Sequence, residues 1–355
     1  MDLGVFRKVR LASLSVLLGA LLFGACNQDP IFYGISLEVE PVDPRIVGMP
    51  SNIVAAAGKV YVASKFNESI HVYEGTGWQR IRGPGGQILE LAATTNQVYA
   101  LTGKPGSSSL YTLDTSATNV DWKPVTSTYK NIQSIYGAKD TLFACAMIDT
   151  STFVMLWDVD ETLQKLTGGS GFLYGAVNHG SDYYLATGTG IYTRNGETLT
   201  LVSGSGTEPV IGLITLKDMV VGVRRDGTLL YGDSSSFTQV KESGVTFTGA
   251  IAAWKKDNEE TDALLLLGIQ GGSTAATHGY REILLSDGSL LSTDLGLRTP
   301  GKAEPSSVSD YDKYYSSIGK HPIVNLYQAP DGILFAGTTK NGLWSYRNDQ
   351  WNAEP

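Results

Sequence analysis

Three features of the 355-residue sequence predict an all-β fold made of repeated four-stranded units. A short apolar phrase recurs seven times after residue 50, most copies falling about forty residues apart. Strand candidates of four to six residues, rich in Val, Ile, Tyr and Leu, alternate with Gly, Asn, Asp and Ser, and no long stretch of 3.6-residue periodicity competes with them. Charged residues make up 17% of the chain, below the ~25% of an average domain, while 41 glycines exceed the usual share of ~7%. Few charges and many glycines suit a fold with many tight turns.

The phrase opens on a polar or turn residue, runs through apolar and aromatic residues and ends on small ones, as in Lys59-Val60-Tyr61-Val62-Ala63 and Gln97-Val98-Tyr99-Ala100-Leu101. Its centres are Tyr61, Tyr99, Phe143, Tyr184, Val220, Leu265 and Leu334, at spacings of 38, 44, 41, 36, 45 and 69 residues. An apolar run precedes each copy, from 53–55 in the first unit to 323–327 in the last, and a further run follows it, from 70–73 to 343–346. Fourth strands are predicted at 78–81, 122–125, 163–166, 199–202 and 237–240. Four short strands per unit, persisting along the chain, predict a seven-bladed β-propeller of four-stranded blades over 51–355, with the seven centres at equivalent inner-strand positions. A pair of β-sandwiches is the other arrangement considered, and it requires no such period. Trp78, Trp122, Phe237 and Trp351 sit on outer strands and are expected to pack between blades. In a 26–50 tether segment Ile35, Leu37 and Val39 alternate with Ser36, Glu38 and Glu40, a strand pattern able to pair with the last blade and close the ring.

Ahead of this lies a leader. Arg7, Lys8 and Arg10 precede a mostly apolar run over 11–23 and then Gly24-Ala25-Cys26. A run that short falls below the ~20 residues a helix needs to span a bilayer, so 1–25 reads as a secretory signal peptide. Phe23-Gly24-Ala25-Cys26 resembles the bacterial lipobox in its relaxed, spirochaete-like form, with Phe23 where the pattern usually has Leu. The resemblance implies that Cys26 receives a diacylglycerol thioether, becomes the new N-terminus and holds the protein on a membrane through two or three acyl chains. Secretion without lipid and an uncleaved single-pass anchor are the two rival readings of the leader.

Removing 1–25 takes the formal charge from −8 to −10 over 330 residues, because three basic groups leave with Asp2. An acidic chain whose Lys and Arg occur as isolated pairs is unsuited to nucleic acid. With Cys26 lipidated, Cys145 has no disulfide partner, and its apolar setting at 142–146 predicts a buried, inert thiol.

Reactive groups do not converge. His71, His179, His278 and His321 lack metal-ligand spacing. Asp158, Asp160 and Glu161 read as a solvated hairpin turn, and Asp226-Gly227, Asp287-Gly288 and Asp331-Gly332 as hairpin signals that depart from the aspartate box of sialidase-like propellers. The glycine runs 168–171 and 204–206 lack the lysine and helix of a phosphate loop. No catalytic residue, metal or cofactor is expected. The surplus of about 28 residues between Leu265 and Leu334 places an insertion near 293–320. It carries Tyr311, Tyr314 and Tyr315, rigid amphipathic groups of the kind enriched at recognition surfaces.

Leader and repeat together resemble the bacterial lipid-anchored β-propeller lipoproteins. The resemblance implies a non-catalytic binding or assembly platform in the cell envelope, anchored to the inner or outer membrane on the periplasmic or surface side, with an envelope protein as partner. The lipoprotein propeller of the outer-membrane barrel assembly machinery is an analogy at the level of fold. Two alternatives stand beside it: an envelope enzyme of glycan-cleaving type drawing carboxylates from different blades, and a small-ligand binding protein using the central channel.

Overall fold

The computed structural model describes residues 46, 48–65, 67–104, 106–116, 120–241, 244–255, 264–270, 279–286, 289–290, 322–347 and 350–354. All belong to one compact unit that starts at Asp43. Cys26, the leader, the Ile35-Leu37-Val39 segment, and Tyr311, Tyr314 and Tyr315 lie outside the described residues.

Every hairpin joins consecutive strands, so the chain builds seven antiparallel four-stranded sheets in strict order. They occupy 54–82, 88–124, 132–165, 173–201, 212–241, 247–290 and 323–353. The first strands of neighbouring blades pack on one another. These inner strands are Val54–Ala56, Ile88–Ala93, Ile132–Ala138, Leu173–His179, Gly212–Thr215, Phe247–Trp254 and Ile323–Gln328, and together they surround a central channel. This is the seven-bladed β-propeller that the forty-residue period predicts, and it displaces the paired sandwiches. The sixth outer strand, Ser289–Leu290, has no counterpart in the sequence reading.

Successive residues of a strand point to opposite faces of a blade, so each blade feeds two of the seven buried clusters, one on either side. Tyr61, Tyr99, Phe143 and Tyr184 all face the following blade. In blades five to seven that position belongs to Val221, Leu266 and Phe335. The expected equivalents Val220, Leu265 and Leu334 point to the preceding blade instead. The slip arises where the residue opening the phrase lies in the turn rather than the strand, as Asp218 and Gly332 do. A one-residue offset exchanges the two faces.

The glycine runs mark crossings. As the chain leaves one blade for the next it passes beneath the next outer strand, and a Cβ on Gly168 or Gly204 would stand 2.4 Å from the Leu199 carbonyl oxygen or 2.2 Å from that of Phe237.

Closure falls between blades seven and one. Ile46 and residues 48–50 run beside the third strand of blade seven, where Leu343 N donates to Ile46 O at 3.3 Å and Gly342 N to Gly48 O at 3.1 Å. Lys65 N donates to Met49 O at 3.0 Å from the other side. Trp78 packs edge-on against Phe335, 5.5 Å between ring centroids, and its Nε1 donates to Glu354 Oε2 at 2.5 Å. Trp351 likewise meets Tyr280 edge-on at 5.8 Å. The outer-strand aromatics are inter-blade packing groups.

Strand alternation sorts the connections. First-to-second and third-to-fourth turns lie on one face, the hairpin face. Second-to-third connections and blade-to-blade crossings lie on the other, the crossover face.

Candidate functional site: the mouth of the central channel

The inner strands are irregular where they start. Pairing with the second strand shifts between Ile88 and Glu90, between Ile132 and Ser134, between Leu173 and Gly175, and between Ile323 and Asn325. Such a bulge re-aims the side chain that follows it. Here it turns polar groups toward the neighbouring blade. Glu90 Oε2 accepts from Ile135 N at 2.8 Å, and Ser134 Oγ donates to Leu173 O at 2.8 Å. Asn325 Nδ2 donates to Pro50 O at 3.3 Å and Ser51 O at 3.0 Å, and Thr248 Oγ1 donates to Ile323 O. Each contact ties the start of one inner strand to the next inner strand or, for Asn325, to the residues that lead into it, at the crossover end. Farther along, Gly137 lets blades two and three approach until a Cβ would lie 1.7 Å from the Ala93 carbonyl oxygen.

The strands so held enclose a cavity of about 630 Å³. Its polar lining includes Asn52, Lys65, Glu90, Tyr136, Arg225 and Asn325. Glu90 touches the channel but is otherwise walled in by protein. That burial pushes its carboxyl from 4.5 up to about 7, against hydrogen bonds from Ile135 and Asn52 and the charge of Lys65. Tyr136 is driven well above the usual phenol range, first by burial and then by Glu90 and Tyr174. A carboxyl titrating near neutrality can pass a proton or pair with a cationic group. Glycan cleavage by the usual route needs two carboxyls. Among the described residues Glu90 is the single carboxylate lining this cavity.

The remaining sequence candidates fall elsewhere. Cys145 is fully buried in blade three, and burial raises its thiol to about 11. Asp160 and Glu161 form an exposed two-residue turn with φ of 50° and 62°. Asp158 is not part of that turn: it sits half-buried on the strand Phe153–Val159 and accepts the Tyr99 hydroxyl at 3.0 Å. Burial raises its carboxyl above the usual range. Among the described residues no three His, Cys, Asp or Glu side chains gather as a metal site.

Sequence reasoning missed the channel carboxyl, whose setting depends on a backbone amide 45 residues away. It also missed Arg194 on the hairpin face. The guanidinium carbon lies 3.5 Å from the centroid of Trp157 and 5.5 Å from that of Tyr183, a stack joining the third strands of blades three and four.

No protein family and no curated protein matches the chain. Solved structures do match. The WD40 β-propeller domain of Doa1 is 11% identical over 87% of this chain and 95% of its own, with a TM-score of 0.57. Streptogramin B lyase is 11% identical over 84% and 93%, with a TM-score of 0.56. A chain of the mitotic checkpoint complex is 9% identical over 88% and 91%, with a TM-score of 0.59. The likeness is one of fold. The solved structures that share it include a lyase and a chain of a checkpoint complex, so fold alone assigns no role and the function has to be argued from the chain itself.

Proposed function

We propose that the protein is a lipid-anchored envelope platform, held at Cys26 and working by binding rather than catalysis. The observation that carries this reading is where the ring meets the rest of the chain. Residues 46–50, which continue from the lipobox segment, join the ring on the crossover face. The strands Ser289–Leu290 and Ile323–Gln328, which flank the tyrosine-bearing insertion, end and begin on that same face. Tether and candidate contact segment therefore spring from one side of a closed body, and partners of Tyr311, Tyr314 and Tyr315 would be envelope proteins beside the anchoring membrane.

Fractionation of the producing cell tests the anchor. Cys26→Ala should move the protein from the membrane to the soluble fraction or leave an unprocessed precursor. Correctly processed protein with an unmodified Cys26, seen by mass spectrometry, would refute the anchor. A second reading, a small ligand in the central channel, draws on the 630 Å³ cavity and its polar mouth. A ligand of that kind should raise the melting temperature of wild-type protein and lose its effect in a Glu90→Gln variant.

A further inference from the structure

The fold sorts the charges of this acidic chain onto two sides. Strand ends and turns of the hairpin face carry Asp114, Asp121, Asp140, Asp160, Glu161 and Asp233, all exposed, and acids there outnumber the exposed Lys123, Lys139, Lys217 and Lys255. The crossover face carries Arg82, Lys104, Lys130, Lys165, Arg225 and Lys340, also exposed, and none of these forms an ion pair among the described residues. Among the described residues its exposed acids are Glu68, Asp149 and Glu208, while Asp226 is neutralised by Lys241 at 2.7 Å. A net charge of −8 for the whole sequence thus hides a positive side.

We propose that the crossover face is a membrane-docking surface whose cations meet anionic lipid headgroups while the acidic hairpin face is turned away. The proposal rests on the anchored reading above. Two independent observations converge on it: the sign of the charge on this face, and the attachment there of residues 46–50, with Gly48 paired to Asn341 in a second-to-third connection. The twenty residues from Cys26 to Ile46 span at most ~70 Å, so the tether confines the ring to the neighbourhood of the bilayer without fixing which way it faces. Charge completes the orientation. Attraction between Lys or Arg and an anionic leaflet acts within a Debye length, ~8–10 Å at physiological salt, whereas the opposite face is repelled.

Lysine footprinting reads the orientation directly. Mature protein is held on vesicles through Cys26, by its own lipid or by a maleimide lipid coupled there; the only other cysteine, Cys145, is fully buried. Coupling separates the two questions, because a failure of natural acylation leaves this experiment intact. Brief acetylation followed by peptide mass spectrometry should show Lys104, Lys130, Lys165 and Lys340 several-fold less modified on phosphatidylglycerol than on phosphatidylcholine vesicles. Lys139, Lys217 and Lys255 should be unchanged, and ~0.5 M salt should abolish the protection. In the triple variant Lys104→Glu, Lys130→Glu, Lys165→Glu, with its melting temperature retained, Lys340 should lose its protection. Equal modification of both faces, protection of the hairpin face, or the same protection on phosphatidylcholine would overturn the proposal. So would protection that appears only when envelope proteins are added, which would assign this face to a protein partner.

Discussion

Replacing Glu90 with Gln isolates the cost of holding a carboxylate inside the ring. The folded protein keeps this group protonated up to about pH 7, whereas the unfolded chain releases the proton near 4.5. Between those values the folded state binds more protons. The stability contributed by protonated Glu90 is therefore fully present below pH 4.5 and is lost as the pH rises through 7. A displacement of this size corresponds to about 3 kcal/mol at 1.36 kcal/mol per pH unit. Glutamine keeps the shape and an oxygen for the Ile135 amide but cannot ionise. The stability of Glu90→Gln relative to wild type should therefore improve by about 3 kcal/mol between pH 4 and pH 8.5, and taking the difference between two pH values cancels whatever the altered contacts with Asn52 cost at both. Urea unfolding of the two proteins at each pH, with equal slopes required, measures it. Parallel pH dependence for the two proteins, or a variant that loses ground at high pH, would refute the account of a strained channel carboxyl.

Phe143→Ala should cost about 3–5 kcal/mol, since the fully buried ring fills the seam between blades three and four; denaturant titration reads the loss, and less than 1 kcal/mol would mean that the seam relaxes. Gly137→Ala should lower the melting temperature by many degrees or prevent folding, because its Cβ would collide with the backbone of Ala93 rather than with a movable side chain. Serine at Tyr311, Tyr314 and Tyr315 should leave thermal stability unchanged and weaken recovery of an envelope partner in pull-down; undiminished recovery would shift the contact to the ring itself.

The parts of this fold that were legible in the sequence are those written locally. Blades announce themselves because strand length, turn chemistry and the apolar phrase recur within each forty-residue unit, and strands buried on both faces, such as Lys59–Ala63, show as unbroken apolar runs. Ser289–Leu290 escaped because two residues make no pattern. The Val220 position was misplaced by one because Asp218, a turn residue, resembles the polar residue that opens the strand in earlier blades. The channel mouth was invisible for another reason. Glu90, Ser134 and Asn325 are unremarkable polar residues in their own segments and acquire a role only when a bulge aims them at a different blade. The stack of Arg194 on Trp157 is equally non-local.

Ring closure also bears on how the molecule is made. The contact between Asn325 and Pro50 joins residues 275 apart, and the seam holds Ile53 and Val60 against Phe335 and Leu343. Blades two to six can assemble from neighbours close in sequence as the chain lengthens. The first blade cannot be completed on its outer side until the last has appeared, and until then both ends of the open arc show apolar surface. For a chain synthesised N-terminus first, that interval is its most aggregation-prone stage, because closing so long a loop is slow. The final thirty or so residues thus act as a fastener, and a nascent chain that stops short of them would present itself to quality control as an arc with two sticky ends.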